Sequence, residues 1–241
     1  MNNINKVIDK KVTKLAKIFQ NNNKKLYVVG GFLREYIINK KVSRDYDICS
    51  NVSIEEISNM LKDTEYKIIY ANKKLNVLKI KNEDLILEYA RFRKENYDLT
   101  GSHFPKNIEF VNTINRDYKR RDFSINAIYY DIIENKFIDP ACGIDDINNR
   151  IIKSIRNPED VLKEDSERIL RMIRFSIMYD FSIDKGLLKS AKNNSKYLKN
   201  LSNERFSREY NKILLLNKDE KLKKILKNLN LEDEINSKIK N

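Results

Sequence analysis

Every stretch of this chain that reads as a β-strand lies before about residue 150, and that segregation constrains the fold more than any single residue does. Up to that point short β-rich runs, "KLYVV", "YDICS", "YKIIYA", "NVLKI" and "LILEYARF", are interspersed with helix-patterned segments. From Pro158, a residue suited to a first helical turn, the patterns are helical to the end. Strands first and helices afterwards imply an α+β fold. The expected architecture is a head of mixed β-sheet with flanking helices over residues 1–150 and a helical segment over 151–241.

Ile4, Val7, Ile8, Val12, Leu15 and Phe19 recur at helical spacing, which predicts an amphipathic helix over about residues 4 to 20. "KLYVV" reads as a short buried strand that stops at Gly30-Gly31, where "FLREYII" begins a helix. Lys94 to Lys106 turns polar, contains Gly101 and Pro105, and reads as a loop. After Arg121 the segment "DFSINAIYYD" is expected to open a helix, with Asp122 or Ser124 as its cap.

The 241 residues carry 48 Lys plus Arg against 35 Asp plus Glu, a formal charge of +13. That balance favours polyanionic partners such as nucleic acid or nucleotides, although lysine is used throughout and much of it is ordinary surface. Cys49, Cys142 and the single His103 are too few for a Cys/His zinc site or a disulfide framework. A reducing cytoplasm is the expected location: the amino terminus has no continuous apolar core, and no stretch approaches the roughly 18 apolar residues that span a bilayer.

Adjacent glycines after a strand let the backbone turn sharply and turn its N–H groups toward phosphate oxygens, so Gly30 and Gly31 are a candidate phosphate seat. A plain tight turn is the simpler alternative, and no Walker loop follows. Asp45 and Asp47 sit two apart on the predicted strand "YDICS" and its approach. Alternation puts their carboxylates on one face, where they can share divalent metal. Arg34 adds a cation for phosphate charge. Glu88, on "LILEYARF", is a candidate third carboxylate, with a cross-strand ion pair to Arg91 or Arg93 as the competing role. Arg120 and Arg121, placed before the expected helix, would gather anions there, or form a surface basic cluster. In "EDSERILRMIRFS", Asp165, Arg168, Arg171 and Arg174 are spaced by three, so each steps back about 60° around a helix and together they form one polar arc. Three arginines without a lysine, in a lysine-rich chain, point to planar, forked recognition.

These elements, in this order, resemble the class II tRNA nucleotidyltransferase and bacterial poly(A) polymerase superfamily. Its Gly-Gly, Arg, Asp-x-Asp pattern is similar to "GGFLREYIINKKVSRDYD", and its Arg-Arg-Asp-Phe-Thr-Ile-Asn-Ala segment to "RRDFSINA". "DPACGIDDI", "EDSERILRMIRF" and "LSNERFSREYNKIL" resemble three further motifs, and the set extends over residues 26 to 215.

The resemblance implies a nucleotidyltransferase head followed by an all-helical neck. It implies that Asp45 and Asp47 hold Mg²⁺, two ions by analogy, and that Gly30, Gly31 and Arg34 meet the incoming nucleotide. Arg120 reaches its phosphates, with Arg121 as the alternative. Asp165 and Arg168 would read the Watson–Crick edge shared by cytosine and adenine, rejecting uracil and guanine, while Arg171 and Arg174 hold the nucleotide. The implied activity is addition of C and A to a tRNA 3′ end from CTP and ATP with release of pyrophosphate. Poly(A) synthesis and A-only or CC-only addition are the alternatives, and a catalytically silent RNA-binding module is the competing class. "RKENYDLTGSHFPKN" resembles the loop that switches the family from C to A, and His103 within it is not needed as a base. Glu35 stands where the family has Asp, and Ile38-Asn39 replaces its usual glycine. The chain ends soon after the neck, so the body and tail that grip tRNA are expected either to be dispensed with in a minimal or truncated enzyme, or to come from a second copy or a partner chain.

Overall fold

The computed structural model describes residues 4–240. Two compact units emerge: the first runs to Lys94 and takes in Ile108–Arg121 and Ile125–Ile144; the second holds Glu95–Asn107, Asp122–Ser124 and the chain from Asp145 onward.

In the first unit the predicted amino-terminal helix is two helices, α1 (Ile4–Val7) and α2 (Lys10–Asn21). Asp9 divides them because its side chain accepts from the Lys11 N–H at 2.9 Å, a cap that starts α2 afresh. Strand β1 (Tyr27–Val29) leads into α3 (Gly31–Asn39), and β2 (Tyr46–Ser50) into α4 (Ile54–Leu61), whose start is fixed by a Ser53/Glu56 capping box. Strands β3 (Lys67–Asn72), β4 (Val77–Asn82) and β5 (Leu85–Arg91) follow. The ends of the segment expected as a loop are strands instead, β6 (Arg93–Tyr97) and β7 (Pro105–Phe110), a separate two-stranded ribbon whose residues are divided between the two units. Helix α5 (Ile114–Asp117), strands β8 (Tyr129–Asp131) and β9 (Lys136–Ile138), and the start of α6 (Gly143–Asn148) complete the unit. The helix expected after Arg121 is absent. Only a 3₁₀ turn, Ser124–Asn126, stands there before β8, and the run from Phe123 to Tyr130 is buried at every position. A segment buried on every side has no solvent-facing stripe of the kind an amphipathic helix presents, and its aromatic end, Tyr129 and Tyr130, enters the sheet.

The main sheet has the order β3-β4-β5-β2-β1-β8-β9, antiparallel except for the parallel pair β2 and β5. Its two faces differ. Tyr46, Ile48, Leu87, Tyr89, Leu78 and Ile80 lie on the face against which α2 and α3 pack, where Phe19 meets Tyr89 and Phe32 meets Tyr46 with ring centroids 6.4 and 4.6 Å apart. The opposite face is covered only in part, by a smaller cluster of Val29, Cys49, Phe92, Val111, Ile114 and Tyr129.

The second unit contains the remainder of α6, then α7 (Pro158–Glu164), α8 (Glu167–Tyr179), α9 (Lys185–Asn194), α10 (Asn203–Leu214), α11 (Asp219–Leu229) and α12 (Glu232–Lys240). Its core gathers Val161, Leu162, Ile169, Leu170, Ile173, Leu187, Phe206 and Leu229. Strand structure does not stop entirely at residue 150: β10 (Ile151–Ile152) and β11 (Ser182–Ile183) pair in parallel. Two-residue strands are too short to leave a period in sequence.

Candidate active site

In the first unit, Gly30 ends β1 with φ +77° and caps α3, a backbone conformation that side-chain-bearing residues rarely adopt. A Cβ built there would stand 3.4 Å from Asp47 Oδ2 and 3.9 Å from Arg121 Nη1, so the bare glycine backs directly onto the acid site. Gly31 opens α3 one turn below Arg34, whose Nη2 lies 3.9 Å from where a Gly31 Cβ would be. Arg34 is aimed by Asn126, whose side-chain oxygen accepts from its Nη1, and it also lies 3.7 Å from Glu35.

Strand register explains why the acids meet. Asp47 is opposite Val29 on β1 and Glu88 on β5; Glu88 is opposite Lys79 on β4, and Lys79 is opposite Tyr70 on β3. Directly paired residues share a face, so one row crosses the sheet as Tyr129, Val29, Asp47, Glu88, Lys79 and Tyr70. Asp45 sits just before β2, two residues from Asp47, and is exposed. No hydrogen bond or ion pair within the described residues holds either aspartate. The Asp47 carboxyl titrates above its ordinary range, chiefly because the surrounding protein desolvates it. Asp45 and Glu88 push the same way, and Arg121 and Arg34 oppose them. Glu88 pairs with Lys79 at 2.7 Å rather than with Arg91 or Arg93. Arg91 instead donates to the Asn51 carbonyl at 3.2 Å, and Arg93 to that of Leu75 at 2.9 Å.

Arg120 and Arg121 do not stand at a helix amino terminus. They are gathered by Asp117, a buried acid that sequence reasoning missed: Arg120 Nε lies 2.9 Å from its Oδ1 and Arg121 Nη2 3.7 Å from its Oδ2. Tyr129 donates its hydroxyl to Asp117 at 2.6 Å and accepts from Arg121 Nε at 3.0 Å. Burial alone would raise the Asp117 pKa, but the two arginines, the Tyr129 hydroxyl and the Arg93 amide hold it down at about 2. The signal was present in the spacing, since Asp117 lies three and four residues before the two arginines. A cleft of about 390 Å³ runs along this face, lined by Arg120, Arg121, Asp47, Glu88, Lys79 and Tyr70 among others.

In the second unit the expected polar arc is broken at its first member. Asp165 ends α7 in an extended conformation and α8 begins at Glu167, so Asp165 lies outside the helix that carries Arg168, Arg171 and Arg174. Each of these arginines has a carboxylate of its own chain: Arg168 has Glu164 at 3.0 Å, Arg171 has Asp122 at 2.6 Å, and Arg174 has Glu209. Arg168 is buried and also donates to the Val161 carbonyl at 3.0 Å. Asp165 accepts from Arg205 at 3.0 Å, and Arg205 also engages Glu167. Its Nη1 is the buried side-chain atom left without a hydrogen-bond partner among the described residues. Arg205 and Glu209 lie 35 residues or more from their partners, so local spacing could not reveal them. Gly101, φ +77°, is clamped in this unit: its N–H donates to Lys163 O at 2.6 Å and its carbonyl accepts from Ser166. Burial lowers the pKa of neighbouring His103, whose own backbone φ is +59°.

The mixed sheet, the glycine turn behind an aspartate on β2 and the many helices define a nucleotidyltransferase-type α+β fold. The chain belongs to the poly(A) polymerase head family: the family profile described as Poly A polymerase head domain matches residues 26–153, and one described as Probable RNA and SrmB- binding site of polymerase A matches residues 180–239. It is thus a member of the class II tRNA nucleotidyltransferase and bacterial poly(A) polymerase superfamily. A CCA-adding enzyme of Enterococcus faecalis is 33% identical over 191 residues, covering 78% of this chain and 45% of that protein. One of Staphylococcus epidermidis is 27% identical over 223 residues, covering 89% and 52%. The structure of the Bacillus stearothermophilus CCA-adding enzyme in complex with CTP superposes with a TM-score of 0.74 at 25% identity, over 85% of this chain and 48% of that one. The chain spans about half the length of these relatives. Among the described residues no helix is long and apolar enough to cross a membrane.

Proposed function

We propose that this chain adds C and A residues to the 3′ end of tRNA, using CTP and ATP and releasing pyrophosphate. The observation that carries the proposal is Asp47: a solvent-exposed carboxylate with no ion pair or hydrogen bond among the described residues and a raised pKa, on a strand directly behind a bare-glycine turn, with Arg34 and Arg121 acting on it electrostatically. The relatives named CCA-adding enzymes, one of them in complex with CTP, favour this reaction over other nucleotidyl transfers.

The acid pair fits Mg²⁺. Among the described residues no group of three or more His, Cys, Asp or Glu is gathered for a metal, and Mg²⁺ is commonly held by one or two carboxylates with substrate phosphates completing its shell. Asp45 and Asp47 would be the protein ligands, with Glu88 beside them in register. When bound, such ions lower the pKa of the attacking hydroxyl and neutralise the leaving pyrophosphate.

The chain's own residues do the rest. Gly30 leaves room for the triphosphate and the α3 amides face it; Arg34 and Arg120, held by Asn126 and Asp117, bring positive charge without a search through rotamers. The second unit would act as the neck, over residues 151–241 with the short segments it takes in. Asp165, oriented by Arg205, retains acceptor capacity for the exocyclic amine that cytosine and adenine share. Arg168 would supply the matching donor, and Arg171 and Arg174 would steady the nucleotide.

A nucleotide-addition assay on tRNA ending before CCA tests the reading. With CTP and ATP together, three added residues support it, and a long A tail or a stop after one or two residues replaces it with poly(A) or partial addition. No incorporation leaves only RNA binding.

A further inference from the structure

We propose that Tyr70 is a stacking shelf for the 3′-terminal nucleotides of the RNA acceptor. The inference rests on the nucleotidyl-transfer reading and names the RNA subsite of that same cleft.

Three observations place it. First, the pairing of β3 with β4 shifts between Ile68 and Tyr70, a bulge with Ile69 as the extra residue. Ile68 is opposite Ile80; without the bulge Ile69 would meet Lys79, and Tyr70 would meet Leu78 on the core face. A one-residue slip moves a side chain through the sheet, so the bulge is what delivers Tyr70 to the row that contains Asp47. Second, Tyr70 is 50% exposed, lines the cleft, and makes no hydrogen bond or ring contact within the described residues. Third, Lys79, tethered by Glu88 at 2.7 Å, sets an ammonium between that ring and Asp47.

Direction chooses the occupant. Nucleotidyl transfer needs the attacking and leaving oxygens on opposite sides of the phosphorus. The glycine turn and Arg34 lie on the β1 side of Asp47, which suits the triphosphate. Tyr70 lies on the other side, three strands away across β5 and β4, or about 14 Å by strand spacing. That side is left for the RNA that brings the 3′-hydroxyl. An aromatic face next to a cation is the combination that holds single-stranded nucleic acid without demanding one sequence. A growing end that changes from C to A needs that tolerance.

Steady-state addition to tRNA ending before CCA, and binding of the same RNA carrying 2-aminopurine at its last position without added nucleotide, test the shelf. Tyr70→Ala is expected to raise KM for RNA about tenfold with KM for CTP changed less than about twofold. Tyr70→Phe should restore it. The 2-aminopurine emission should fall on binding wild type and Tyr70→Phe, and stay high with Tyr70→Ala. An unchanged RNA KM with equal quenching by Tyr70→Ala overturns the inference, and a rise confined to the KM for CTP transfers the shelf to the incoming nucleotide. If wild type adds nothing, the proposed function fails, yet the binding signal still decides the shelf.

Discussion

The two units handle charge in opposite ways. On the open face of the first, Asp45 and Asp47 make no ion pair among the described residues, and the pKa of Asp47 is raised. Along α8 in the second, each arginine is matched to an acid of its own chain, and all three of those acids, Glu164, Asp122 and Glu209, are buried. On the proposed reading, acids without an ion-pair partner are completed from outside, by a metal ion. Matched guanidiniums are completed from within, which fixes their forks before a ligand arrives. The difference fits the proposal that the first unit carries the chemistry and the second the recognition.

The sharpest way to break the contrast is Asp47→Ala. Nucleotide incorporation is expected to vanish while the far-ultraviolet spectrum and melting stay those of a folded protein. Retained turnover would mean that the acids are incidental.

The next effect is on folding. Glu209→Ala strands Arg174 inside the second unit, where Glu209 is 1% exposed. Removing one partner of a buried pair typically costs about 3–5 kcal/mol, and urea unfolding should show that loss. A change below about 1 kcal/mol, the size of an exposed ion pair, would show that the α8 arginines are not matched as described.

A third test applies acid. Asp117 titrates at about 2 in the folded protein against an ordinary 3.8. Its folded value is depressed, so its contribution is fully present above about pH 4 and is lost as pH falls toward 2. The difference amounts to something on the order of 2 kcal/mol. Asp117→Asn should flatten the stability profile in that window. A profile parallel to wild type would break the link between Asp117 and the two arginines.

Legibility in the sequence followed the range of the interactions. Strands β2 to β5 were readable as runs rich in β-branched and aromatic residues, with clear alternation in β4 and β5, and the acid row follows from their pairing once Asp47 is placed on β2. The β6 and β7 ribbon was not, because "RKENY" carries charge where a strand signal would be apolar. Asp165 was misplaced onto α8 because its three-residue spacing to Arg168 continues the helical period across a helix boundary. Asp117 left a local trace that went unread, whereas Arg205 left none, its partners lying about 40 residues away.

The smallest expected effect distinguishes a metal site from an acid pair that is merely strained. Ligand that binds only the folded state stabilises it by about 1.4 kcal/mol at ten times its dissociation constant, so Mg²⁺ should raise the melting temperature of wild type. Asp47→Asn predicts two changes of opposite sign. Because the folded Asp47 pKa is raised, stability falls as pH climbs from the unfolded value through the folded one, and removing the charge should make the metal-free protein more stable at neutral pH. The same substitution should abolish the Mg²⁺ increment. A variant that keeps the increment would show that the ion binds elsewhere, and the contrast between acids without an ion-pair partner and an arginine helix already matched would lose its first half.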